Sequence, residues 1–181
     1  MMRSAIAFLL LTFLATRVNS DEKKPAIKLP KNGNTVVLSY DPGAGGFIRK
    51  GEPPYLKITA DGQVTVTDVR TGMKKESKLT AREVEDLMDF AVNTNDFFNL
   101  TDAKLKDEVT AASAKGPAIA VGGAGTSVVS VNVNDKQHTV SFRAADAYAK
   151  AYPTLKLLSQ YVAIQQRLGD QAENVPMPKD K

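Results

Sequence analysis

The stretch Tyr55-Leu56-Lys57-Ile58-Thr59-Ala60-Asp61-Gly62-Gln63-Val64-Thr65-Val66-Thr67 constrains the fold more than any other part of the chain. Asp-Gly between two alternating apolar runs marks a β-hairpin. A two-residue turn at Asp61-Gly62 would oppose Ile58 to Thr65 and Leu56 to Thr67, mixing apolar and polar side chains on both faces. A three-residue loop, Ala60-Asp61-Gly62, instead opposes Ile58 to Val64 and Leu56 to Val66, which gathers the apolar residues on one side. Strand side chains alternate with period two, so a slip of one residue would lose that face. The three-residue register is therefore expected, as a type I turn with a G1 bulge and Gly62 at positive φ, where a Cβ is disfavoured.

The flanking sequence extends this hairpin into a sheet. Thr35 to Tyr40 is rich in β-branched residues and puts Val36, Leu38 and Tyr40 on one face. Thr71 to Lys78 reads as an edge strand whose lysines discourage further pairing. A second hairpin spans Ser127 to Phe142, where a turn at Asn134-Asp135 pairs Val131 with His138, Val129 with Val140 and Ser127 with Phe142. Between the hairpins, Leu79-Thr80-Ala81-Arg82-Glu83-Val84 is a complete helix start. Thr80 is the N-cap, Glu83 closes the capping box, and Leu79 and Val84 form the hydrophobic staple.

Val84, Leu87, Met88 and Ala91 continue that start as one apolar stripe. The helix is expected to stop near Asn93 to Asn95, with Phe97-Phe98 plugging the core. Residues 102–125 suggest a short helix followed by a Gly/Ala/Ser stretch, with a strand conceivable at Ala118 to Val121. Ala144 to Tyr152 reads as a separate helical turn. Thr154 to Leu168 carries Leu157, Leu158, Tyr161, Ile164 and Leu168 at helical spacing, with Pro153 suited to the first turn and Gly169 to the stop. The expected fold class is α+β, an antiparallel sheet of hairpins packed against two main helices.

The ends of the chain read differently. Met1 to Arg3 is a short basic start, followed by an apolar run from Ala5 to Ala15. A membrane span needs about 20 apolar residues, so this run fits a secretory signal peptide over residues 1–20, with cleavage after Val18-Asn19-Ser20. Such cleavage removes Arg3 and Arg17 and no acid, lowering the formal net charge from +4 to +2. Residues 21–34, with Pro25, Pro30 and Gly33, are expected to form a flexible leader, residues 35–169 a single α+β domain, and residues 170–181 a disordered tail. An exported chain without a transmembrane segment in its mature part is implied, periplasmic or extracellular. The absence of Cys agrees with export and removes thiolate chemistry and Cys-ligated metal.

Few residues present themselves for chemistry. His138 is the only imidazole and shares strand parity with Val140 and Phe142, which suits a residue at the sheet rim. A catalytic His needs a nucleophile and an orienting acid, and the sequence points to neither. The Gly-rich stretches at 41–46 and 122–127 lack the Lys-Ser/Thr ending of a phosphate loop, and the second leads into a strand. Asp96, Asp102, Asp107 and Glu108 lack the spacing of a calcium loop and read as caps, turns or solvated surface. No catalytic, cofactor-binding or metal-ligating residue is assigned, and no cofactor is expected. Lys and Arg alternate with Asp and Glu, so despite a pI near 9.2 nucleic acid is not an expected partner. Phe47 and Ile48, on the Gly/Pro-rich loop from Asp41 to Pro54, are the one candidate partner-binding tip; buried, they would belong to the core.

From Pro54 to Val64, and on through the Leu79-Thr80 helix start to Phe97-Phe98, the chain resembles uncharacterised exported bacterial domains. Those share a Pro- and Tyr-led Asp-Gly hairpin, a Leu-Ser/Thr-x-x-Glu helix start and a trailing Phe. The resemblance covers about residues 35–100 and implies the fold and export; it carries no activity and no site residues. Such domains often have Cys near the first loop, and this chain has none. The functional expectation is an exported, non-enzymatic binding or interaction module, its partner conceivably a protein. The alternatives are a hydrolase using scattered carboxylates or a Ser/Lys pair near the 41–54 loop, and an accessory domain of a cell-envelope assembly.

Overall fold

In the computed structural model, residues 25–43, 54–68, 71–116 and 119–176 are described. The Asp-Gly hairpin forms in the three-residue register, β2 (Leu56–Thr59) against β3 (Gln63–Thr67), with Leu56 opposite Val66 and Ile58 opposite Val64. All four side chains are buried. Gly62 has φ +88°, and its N–H donates to the Thr59 carbonyl at 2.9 Å, closing the turn. A second constraint falls on the same glycine, because a Cβ there would stand 2.2 Å from the carbonyl oxygen of Leu79.

Around this hairpin the sheet has six antiparallel strands in the order β4-β3-β2-β1-β5-β6, with β1 at Val36–Asp41 and β4 at Lys74–Lys78. The second hairpin, β5 (Thr126–Val133) and β6 (Lys136–Arg143), pairs Val131 with His138 and Val129 with Val140. Asn134 and Asp135 turn it with φ +55° and +56°, the left-handed pair that a two-residue hairpin requires. β4 lies at one edge, as its lysines suggested. One strand departs from the expected parity. A bulge between Val36 and Leu38 sets two steps of β1 against one of β2, so Val37 turns inward beside Leu38. Val37 is fully buried and Val36 is 38% exposed, which corrects the expectation that Val36 shares a face with Leu38 and Tyr40.

Among the described residues four helices accompany the sheet, in keeping with the expected α+β class. α1 (Ala81–Asp89) starts with the Thr80–Glu83 capping box and buries Val84, Leu87 and Met88. It runs on into a π turn, Phe90–Thr94, where the Phe90 carbonyl accepts from both the backbone and the side chain of Asn95. Phe97, in a short 3₁₀ turn, is fully buried as the expected plug. α2 (Asp102–Ser113) is the helix suggested for this stretch; of the strand conceivable at Ala118 to Val121, Ala118 lies outside the described residues and residues 119–121 form no strand. α3 (Ala145–Ala151) is the expected separate turn.

α4 (Lys156–Glu173) begins after Pro153 and passes straight through Gly169. Glycine inside a helix costs about 1 kcal/mol relative to alanine. Burial of Leu168, Ala172 and Val175 on the core outweighs that cost. The chain therefore does not leave the core at residue 170. Nor is the leader free from Pro25 onward. Lys28 exchanges two bonds with Asn134, its N–H donating to Oδ1 at 2.7 Å and its carbonyl accepting from the Asn134 N–H at 2.9 Å. Asn93 Nδ2 holds the Pro25 carbonyl at 3.0 Å, and Ile27 and Leu29 pack against the core.

Leu38, Leu56, Ile58, Val64, Val129, Val131 and Val140 all belong to one buried cluster with the helices. The opposite face of the sheet is mostly polar, with Val36 and Val128 as exceptions. Across its middle the pairing runs Glu76–Thr65–Lys57–Ser39–Ser130–Thr139, one residue from each strand. Antiparallel sheets tolerate water on one side, and this alternation of apolar and polar positions is its signature.

Candidate functional site

Each residue with chemical potential is best judged by what already occupies it. His138 sits at the rim of the inner face, half-buried, with Nε2 2.6 Å from the Leu100 carbonyl. A carbonyl only accepts, so Nε2 carries the proton in this contact. The ring lies edge-on to Phe97 at 5.4 Å and tilted to Phe98 at 6.1 Å. His138 thus pins the turn before α2 onto β6, and the rim placement expected from its strand parity holds.

Three acids also serve the scaffold. Asp102, in the first turn of α2, accepts from the Ser141 N–H at 2.7 Å, in the place where another strand's carbonyl would pair with the edge of β6. Glu108 reaches from α2 to the start of α4, accepting from the Leu157 and Leu158 N–H groups at 3.1 and 2.9 Å. The N-cap of α4 is Leu155, whose side chain has no oxygen to offer, so a carboxylate from another helix does the capping. Asp96 adopts φ 49° ahead of the 3₁₀ turn and accepts from Asn99 Nδ2. Among the described residues, no group of three or more His, Asp or Glu could hold a metal ion.

A buried polar network joins α4 to the second hairpin. The Tyr161 hydroxyl is shared between the carbonyls of Ser127 at 3.0 Å and Val140 at 3.2 Å. Ser127 Oγ donates to the Phe142 carbonyl at 3.1 Å and accepts from Gln165 Nε2. Burial pushes the Tyr161 hydroxyl up to about 12. Every member has a partner, the Tyr161 hydroxyl also standing 3.4 Å from Ser127 Oγ, so the network fastens α4 to the second hairpin. Tyr161 and Gln165 are one helical turn apart on the buried side of α4, a polar pair on an apolar stripe. That pattern was the available signal in the sequence, and the reading by hydrophobic spacing passed over Gln165.

The remaining titratable cluster lies where the chain leaves β1. Tyr40 and Tyr55 meet edge to face at 6.5 Å. Burial first, and then the charge of Asp146, hold the Tyr40 hydroxyl well above the ordinary phenol range; Tyr55 is raised by burial and by Glu173. Asp41 Oδ1 accepts from the Gly43 N–H at 2.9 Å, and Gly43 has φ +64° with no room for a Cβ, which would stand 2.1 Å from the Thr126 carbonyl oxygen. This glycine turns the backbone against β5. Phe47 and Ile48, the candidate partner-binding tip, lie outside the described residues. The second Gly-rich stretch leads into β5, with the Gly125 carbonyl accepting from the Ala144 N–H.

No protein-family model, curated protein or solved structure matches the chain. No described helix is long and apolar enough to cross a membrane.

Proposed function

We propose that the chain is an exported, non-enzymatic binding or interaction module, working through contacts at the loop end of its sheet. The observation that supports this reading is the engagement of five described side chains that could carry chemistry. His138, Asp102, Glu108, Ser127 and Tyr161 each hold two parts of the scaffold together through hydrogen bonds. A group so engaged positions structure, whereas a catalytic group must be in reach of a reacting atom. The basic start and apolar run of the first 20 residues support export, to the periplasm or the outside of the cell.

The test begins with the purified mature chain, cross-linked in cell-envelope extract beside a Phe47→Asp/Ile48→Asp variant. A partner retained by the first and lost by the second is the expected result. Absence of any partner, together with turnover in a hydrolase screen that a Ser127→Ala variant abolishes, would reverse the reading. Export is checked separately by N-terminal sequencing of the protein recovered outside the cytoplasm, where Asp21 is the expected first residue.

A further inference from the structure

We draw no further inference here: the strongest candidate, the cluster of Tyr40, Tyr55 and Asp146 at the end of the sheet where the chain leaves β1, carries nothing because nothing in the structure shows what covers it.

Discussion

Glu108 and Gly62 illustrate how single residues of this chain serve two elements at once. Glu108 lies on α2 yet satisfies two N–H groups at the start of α4. Glu108→Ala leaves those donors and the helix N-terminus without their anion, and a loss of about 2 kcal/mol is expected in chemical denaturation. Glu108→Gln, which keeps one acceptor, should lose less. Gly62→Ala faces both a left-handed backbone and the Leu79 carbonyl, so about 2–3 kcal/mol is expected by the same measurement. Tyr161 provides a test by pH. Its folded value is raised above that of a free phenol, so its contribution to stability is full below pH about 10 and declines as pH rises towards the folded value. In an absorbance titration at alkaline pH, Tyr161→Phe should delete a late-titrating phenol and leave the early ones unchanged.

Elements were legible in the sequence where local chemistry alone decides them. The Thr80 capping box and both hairpin registers depend on neighbours within a few residues, and each formed as expected. The misses share a different cause. Val37 turns inward because of a bulge fixed by pairing with β2, and α4 crosses Gly169 because residues distant in sequence offer Ala172 and Val175 an apolar seat. Nothing within a short window reports either. The same holds for the candidate site, where Asp102 and Glu108 were recognisable as acids while their acceptor roles depend on partners 39 and 49 positions away. A chain ending after Gly169 measures the tertiary contribution directly. Exposure of the surface that Ala172 and Val175 cover should lower stability by about 2–3 kcal/mol and fray the last turns of α4, visible as faster amide exchange there.

At the scale of the whole molecule, a sheet covered on one face must guard both its edges. β4 does so with Lys74, Lys75 and Lys78, and β6 with the Asp102 carboxylate on the Ser141 N–H. Replacing Lys74 and Lys78, the exposed pair on the outer face, by Thr should leave the thermal midpoint nearly unchanged while light scattering grows with concentration, because the loss falls on solubility.

The docked leader has a consequence for anything joined to this chain. Its bonds to Asn93 and Asn134 place the N-terminal side at the end of the sheet where the two hairpins turn, whereas Glu173 comes within electrostatic reach of Tyr55 at the other. An eight-residue strand spans about 26 Å at the usual rise. Two dyes attached at Lys28 and Glu173 would sit towards opposite poles, and a support coupled at Lys28 would leave the pole that holds Tyr55 outward.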